Sequence, residues 1–217
     1  MIVRDEGATF LPITQPDHAR LARDIVAAMR TEPALLGASR DTVLLATQEH
    51  DNGWIEVDAE PTIDPASGRP CDFIAGPASV KHELWPRGIR RVAQADLRAG
   101  ALVAQHAITV YDRFRSDRAW DLFFAEMEGA RDRMLQRSGM ERTDLLVDYT
   151  YVRLGDLISL AFCTGWTDEH HFGVWRVRLE QDHVLITPDP FGGERVPIRI
   201  EARELPKRTF RTDDDLR

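Results

Sequence analysis

The 217-residue sequence predicts an α+β fold, with a helical body and a small antiparallel β-sheet. Across residues 14–166, apolar residues recur at intervals of three and four, as in helices that bury one face. After about Phe172 the interval becomes two, and Trp175, Val177 and Leu179 alternate with arginines as in half-buried strands. We therefore expect one domain, 1–217, in which 14–166 form the body and 1–13 and 172–206 a β appendage.

The individual elements follow from turn and capping residues. A hairpin is predicted from two β-prone runs, 1–4 and 8–13, around an Asp5-Glu6-Gly7 turn. Because three short C-terminal strands make a weak sheet alone, we expect the hairpin to join them. Residues 54–77 predict a long loop, and 211–217 a solvated tail. The predicted helices run from 16 to a stop at Glu32-Pro33, over 41–51 with Asp41 as the cap, over 79–84 with a restart after Pro86, and over 97–114, 117–137 and 142–163. The predicted C-terminal strands are 174–179, 183–187 and 196–203.

Composition narrows the class of partner. The net charge of -8 argues against nucleic acid and anionic membranes, which both need a basic face, so we expect a small-molecule partner. No apolar run approaches the ~20 residues of a membrane span, and the acidic N-terminus is unlike a signal peptide, which predicts a cytoplasmic protein. Cys71 and Cys163 have no CxxC spacing and are interpreted as reduced, structural residues.

Histidines and aspartates fall on the apolar faces of separate predicted helices. His18 shares a face with Leu21 and Ile25, and the same holds for His50, His106 and Asp156 on their own helices. Burying several such groups costs several kcal/mol each unless something compensates, and one divalent cation compensates all of them together. The pattern therefore predicts a buried metal centre.

His50 and Asp51 are the centre of this prediction, because neighbouring residues at a helix end can both reach one ion or bridge to a second. Imidazole and carboxylate ligands suit iron, manganese or zinc, as one or two ions, and leave positions for a nucleophilic water. His50 and Asp51 are thus also the candidate catalytic residues. On the following loop, Trp54, Arg69 and Asp72 are candidate substrate contacts at the mouth of the site.

Ordinary structural roles compete with each assignment. His18 could be a core histidine bonded to a carbonyl, and Arg153 or a serine could satisfy Asp156 without a metal. His82 is a sixth candidate ligand, although Pro86 obscures its direction and it could contact substrate instead. The aromatic set Trp120, Phe123 and Phe124 is interpreted as core, and His170, His171 and His183 as surface residues.

The order His18, His50-Asp51, His82, His106, Asp156 resembles the ligand order of the HD-domain superfamily of metal-dependent phosphohydrolases, which implies an HD-like helical bundle. The related di-iron oxygenases, such as myo-inositol oxygenase, use the same order. One departure concerns the HDxGK pattern, where many of these enzymes have lysine: HDNGW places Trp54 there, without a cation for phosphate. The texture of the whole chain (QPDHARL, IDPASGRPCDF, LGDLISLAFC, TPDPF) is most similar to an uncharacterised bacterial family, domain of unknown function 3891.

Three functions fit this resemblance. The leading expectation is an HD-like hydrolase acting on a small phosphorylated or nucleotide-like substrate through a metal-activated water. The alternatives are a di-iron oxygenase acting on a small polyol or phosphonate with the same ligands, and a non-enzymatic metal-binding sensor.

Overall fold

A computed structural model describes residues 1–30 and 35–217, so the predicted stop at Glu32-Pro33 lies outside the described residues. The α+β class is confirmed. The elements in chain order are β1 (Ile2–Glu6), β2 (Thr9–Ile13), α1 (Gln15–Ala28), α2 (Arg40–Gln48), a 3-10 turn (Asn52–Trp54), α3 (Ile55–Ala59), α4 (Ala78–Ala95), α5 (Leu97–Val110), 3-10 turns Asp112–Phe114 and Arg118–Trp120, α6 (Asp121–Ser138), α7 (Arg142–Thr164), β3 (His170–Phe172), β4 (Trp175–Glu180), β5 (His183–Thr187), β6 (Leu205–Pro206) and α8 (Asp213–Leu216).

Local signals set the helix ends closely, with some corrections. Thr14 caps α1 by accepting from the Asp17 amide, and Gly165 ends α7 in the left-handed conformation. Ser39, not Asp41, caps α2 by accepting from the Thr42 amide. The predicted break at Pro86 is wrong, because α4 continues through it. Proline removes one backbone hydrogen bond, and buried residues on both sides, Trp85 and Ile89 among them, hold α4 against the core.

The β-structure differs from the single predicted sheet. The hairpin β1–β2 pairs through β2 with β6, where Phe10 lies opposite Leu205, while β3, β4 and β5 form a separate antiparallel sheet. The predicted strand 196–203 is absent, since residues 194–204, all of them described, have no regular secondary structure. Their alternating apolar side chains Val196, Ile198 and Ile200 pack against the core instead of a neighbouring strand.

Two further segments differ in part from their predictions. The chain after Trp54 forms the short helix α3 before an irregular segment with one bridge between Ile63 and Pro70. The tail is largely exposed, as predicted, but it is anchored: Leu216 is buried, and the Asp213 carboxylate accepts from the Ile63 amide at 2.8 Å. Among the described residues, no helix is both long and apolar enough to cross a membrane.

Two close helix contacts fix the positions of the segments that carry the candidate site described below. One continuous apolar core runs through α1, α2, α4, α5, α6 and α7 and reaches β1, β2 and β4. Within it α7 packs on α1, where a Cβ at Gly155 would lie 2.5 Å from Val26 Cγ2 and 3.0 Å from the Ala22 carbonyl oxygen. Similarly, α4 packs on the 3-10 turn Asn52–Trp54, where a Cβ at Gly53 would clash with the Leu84 carbonyl oxygen. Both approaches need glycine.

Replacing Gly155 with Ala tests the first contact. We expect Gly155→Ala to lower the free energy of unfolding by about 1–3 kcal/mol, because the added methyl group forces α1 and α7 apart. The matched control is Gly129→Ala within α6, where the new methyl meets only the movable end of Arg133 at 3.1 Å. The control gains helix propensity, up to ~1 kcal/mol. Equal stability of the two variants in chemical denaturation would contradict the packing account.

Candidate metal centre

Four elements bring together five of the six predicted ligands. His18 projects from the first turn of α1, His106 from α5 and Asp156 from α7. His50 and Asp51 lie in the turn between the end of α2 and the 3-10 turn. Two overlapping groups have ligand atoms within 4.8 Å of one another: His18, His50 and Asp51, and His50, His106 and Asp156. His50 belongs to both groups, so the two form one cluster, which we call the His/Asp cluster.

The distances within the cluster are those of groups around a small central volume. His18 Nε2 lies 3.3 Å from His50 Nε2 and 3.1 Å from Asp156 Oδ1. His50 Nε2 lies 3.5 Å from Asp51 Oδ2 and 3.4 Å from Asp156 Oδ1. His106 Nε2 is 3.8 Å from Asp156 Oδ2. Each imidazole thus presents the same nitrogen, Nε2, to a carboxylate: His18 and His50 to both Asp51 and Asp156, and His106 to Asp156.

Hydrogen bonds on the outer side of the rings determine which nitrogen carries the proton. The Thr47 carbonyl oxygen, 2.6 Å from His50 Nδ1, can only accept, so Nδ1 holds a hydrogen. Ser159 Oγ donates to the His18 carbonyl at 2.9 Å and therefore accepts from His18 Nδ1 at 2.8 Å. In their neutral forms, His18 and His50 consequently direct Nε2 lone pairs at each other. Such an arrangement requires a positive charge between them.

The pKa values of the cluster residues also indicate that the cluster needs a positive charge. Burial disfavours the imidazolium of His50, yet Asp51 and Asp156 together outweigh that effect and raise its pKa to about 9. Burial raises the pKa of Asp51. Burial also acts against the Asp156 carboxylate, but His106, His18, His50 and Arg153 hold its pKa well below the usual range. Without a cation, a proton on His50 supplies the missing charge.

Asp156 has part of the metal-free pairing that the sequence analysis anticipated, in which Arg153 balances its charge. Arg153, one turn earlier on α7, forms an ion pair with Asp156 Oδ2. This pair engages only one carboxylate oxygen, while Oδ1 still faces His18 and His50. Arg153 therefore supplies one positive charge to a cluster with two buried carboxylates, which fits a group that also holds a cation.

Asp51 is the least buried residue of the cluster. The Asp51 side chain is 10% exposed, against 0% for His18 and His50. A cavity of about 1180 Å³ lies elsewhere, between α7 and β5, with Ile158, Phe162 and Ile186 in its wall, and no member of the cluster lines it. Among the five cluster residues, Asp51 is therefore the one most accessible to solvent.

The remaining candidates lie outside these groups of described residues. His82 packs against Trp120 and Phe123, with ring centroids 4.7 and 5.3 Å away, and is not among the gathered ligands. Trp54 is buried in the core. The Asp72 carboxylate accepts from the Val3 and Ile74 amides at 3.0 and 2.8 Å, and Arg69 lies over the Phe10 ring. These contacts fix Asp72 and Arg69 to the hairpin.

Among the other aromatic and histidine residues, Trp120, Phe123 and Phe124 are core, as expected. His171 and His183 are exposed, but His170 is half-buried beside Trp166, contrary to its surface prediction. Sequence reasoning missed the outer partners Ser159 and Tyr149. Ser159 lies three residues after Asp156 on the same face of α7, which is a signal that could have found it.

Fold and cluster define an α+β protein with a buried His/Asp group that could hold a metal ion. The chain belongs to the family described as Protein of unknown function (DUF3891), whose model matches residues 1–207. No curated protein matches the chain. No solved structure matches it either. The resemblance of the whole chain to this family is thus confirmed.

The pH dependence of stability tests the charge balance of the cluster. Because the pKa of His50 is raised to about 9 in the folded protein, its stabilising contribution is complete below its unfolded pKa of about 6.5. That contribution is lost as the pH rises towards 9. In metal-free protein we expect the free energy of unfolding to fall by on the order of 1–3 kcal/mol between pH 6.5 and 9.

Urea denaturation in EDTA measures this change, and His50→Gln provides the comparison. The buried His106, whose pKa is lowered mainly by burial, changes its contribution only below pH 6.5 and does not interfere. The same slope in wild type and His50→Gln would refute the assignment to His50.

Proposed function

We propose that this protein is a metal-dependent hydrolase of the HD-domain type, acting on a small phosphorylated or nucleotide-like substrate. The supporting observation is the convergence of His18, His50, His106, Asp51 and Asp156, whose order along the chain resembles that of the HD-domain ligands. One or two iron, manganese or zinc ions fit this nitrogen and oxygen donor set. A bound cation would polarise a phosphoryl oxygen and make a water nucleophilic near neutral pH.

The residues of the chain supply orientation and proton transfer in this proposal. His50 and Asp51 are the proposed catalytic pair because His50 belongs to both ligand groups and Asp51 borders solvent. Burial raises the pKa of Asp51, so its carboxylate is a better acceptor for the proton of an attacking water. His18, His106 and Asp156 complete the cation site from the closed side.

His82 is proposed as a substrate contact in place of its predicted role as ligand. Its Nε2 is buried without a hydrogen-bond partner among residues 1–30 and 35–217, and its ring lies against Trp120 and Phe123. An unpaired buried nitrogen costs about 1–3 kcal/mol, which a polar group of a substrate would relieve. This contact would compensate in part for Trp54, which stands where many HD-domain hydrolases have lysine.

A second candidate function is a di-iron oxygenase on a small polyol or phosphonate. The observation that favours iron chemistry is the ligand composition: either group contains two histidines and one aspartate, and because His50 is shared, its Nε2 can complete this set at one iron only. Two imidazoles and one carboxylate are the ligand set of non-haem iron oxygenases.

Hydrolysis is tested with bis(p-nitrophenyl) phosphate and protein loaded with manganese or zinc. We expect turnover by the wild type and a loss of at least ~100-fold in the double variant His50→Ala/Asp51→Ala, since cation and catalytic pair are removed together. The matched control is His171→Ala, which removes an exposed histidine and should retain full turnover. Equal rates in the double variant and the wild type would remove the hydrolase proposal.

Metal analysis separates the two enzyme classes. For the hydrolase we expect turnover with a redox-silent ion and no dioxygen uptake. For the oxygenase we expect two irons per chain, a change in Mössbauer or electron paramagnetic resonance signal on reduction, and dioxygen uptake with a polyol or phosphonate. Stoichiometric metal binding with neither activity would identify a sensor and exclude both enzymes.

A further inference from the structure

The cavity between α7 and β5 is a second concave site, apart from the His/Asp cluster. Its volume of about 1180 Å³ is somewhat larger than the ~300–1000 Å³ of most small-molecule sites. Apolar side chains from two helices, two strands and the irregular segment 194–204 form most of its wall: Ile25, Ile158, Phe162, Leu179, Ile186 and Val196. This wall suits the hydrocarbon body of a small molecule.

Charged side chains also line the cavity, but its acids are already engaged by other groups of the chain. The Asp189 carboxylate accepts from the Phe191 amide at 2.8 Å and from the Gly193 amide. Glu194 forms a 2.6 Å ion pair with Arg30. These two acids therefore do not favour a cationic ligand.

The remaining charged residues of the lining differ in what they contact. Arg4 forms an ion pair with Glu6, and Asp182 lies 3.1 Å from His183 Nδ1. Arg195 makes no hydrogen bond or ion pair with any described residue, and it is only the minor cause, after His183, of a lowered pKa at Asp182. The five N–H donors of the Arg195 guanidinium are therefore available to a ligand.

We propose that this cavity binds a small amphiphilic anion, a molecule with a hydrocarbon body and one carboxylate group. The apolar wall contacts the hydrocarbon, and Arg195 pairs with the carboxylate through charge-assisted hydrogen bonds. Charge complementarity decides the sign of the head group, because Asp189 and Glu194 have partners and Arg195 has none within the described chain. The site is independent of the proposed function, since no member of the His/Asp cluster lines the cavity.

Straight-chain carboxylates test the class of ligand. We expect octanoate, nonanoate and decanoate, titrated calorimetrically into metal-free protein in EDTA, to bind at one site per chain. Affinity should rise about fourfold for each added methylene, the effect of burying one CH₂ group. Decanol and decyltrimethylammonium have the same chain with a neutral or a positive head group, and each should bind about fivefold more weakly than decanoate, or weaker still.

Arg195→Gln tests the contact with the head group. This variant should bind decanoate about fivefold more weakly and decanol as the wild type does, because only the carboxylate uses the guanidinium. The matched control is Arg199→Gln, which removes the same charge from an exposed arginine of segment 194–204 that does not line the cavity. Equal losses in the two variants would show a general effect of net charge and would overturn the role of Arg195.

Val196→Trp tests the hydrocarbon site. The indole occupies part of the cavity, so decanoate and decanol should both bind at least ~10-fold more weakly. Val196 lies outside the regular secondary structure, so the change interrupts no helix or strand, and thermal unfolding checks that the fold is kept. The matched control is Val174→Trp, at a position that is 75% exposed and outside the cavity lining.

Decanoate binding that weakens in both Arg195→Gln and Val196→Trp supports the proposal. No binding of decanoate, equally tight binding of decyltrimethylammonium, or wild-type affinity in Val196→Trp overturns it. Binding to phosphatidylglycerol vesicles without binding of decanoate would identify a membrane surface, and self-association without binding of decanoate a contact between copies, and either result also overturns it. The variant His50→Ala/Asp51→Ala should bind decanoate like the wild type, which separates this test from that of the hydrolase.

Discussion

The structure depends on the need to place a positive charge among two buried carboxylates and three imidazoles. Asp51 and Asp156 contribute two negative charges in a nearly dry interior, and Arg153 balances one of them. Leaving a buried carboxylate uncompensated costs several kcal/mol, so the folded chain must bind a proton or a metal ion in the cluster. A doubly charged cation satisfies the lone pairs of His18 and His50 together, whereas a proton satisfies one of them.

The shape of the cluster comes from the scaffold around it. α1 and α7 meet closely at Gly155, which brings His18 opposite Asp156, and the outer faces of the rings are held by Thr47, Ser159 and Tyr149. Each partner restricts its imidazole to one orientation before any ligand binds. Preorganisation of this kind reduces the entropy lost on binding a cation.

Much of the site could be predicted from sequence because helical periodicity states which face is buried. His18, His106 and Asp156 lie on apolar faces, and these faces meet in the core. Periodicity does not say which helices become neighbours. His82 lies on α4, but its surroundings come from Trp120 and Phe123, about forty residues later, and its direction was therefore not predictable.

The partners of the loops and strands, which are distant along the chain, were likewise not predictable from the sequence. The segment after the His50-Asp51 turn returns to the N-terminal hairpin, where the Val3 amide donates to the Asp72 carboxylate. The closeness of Asp72 to His50 and Asp51 in sequence therefore gave a wrong prediction of its surroundings. Alternation in 196–203 predicts a buried side for Val196, Ile198 and Ile200, which are partly buried, but it does not predict the neighbour that covers them. The hairpin found its partner strand only at Leu205–Pro206.

The close approach at Gly53 determines how this site can move. The turn that carries His50 and Asp51 is in direct contact with the α4 backbone at Leu84, and Arg87 on α4 donates to the Gly53 carbonyl at 2.9 Å. The turn therefore has no hinge of its own. Any movement of this turn would therefore be coupled to a movement of α4, a displacement of a whole helix and not the flexing of a loop.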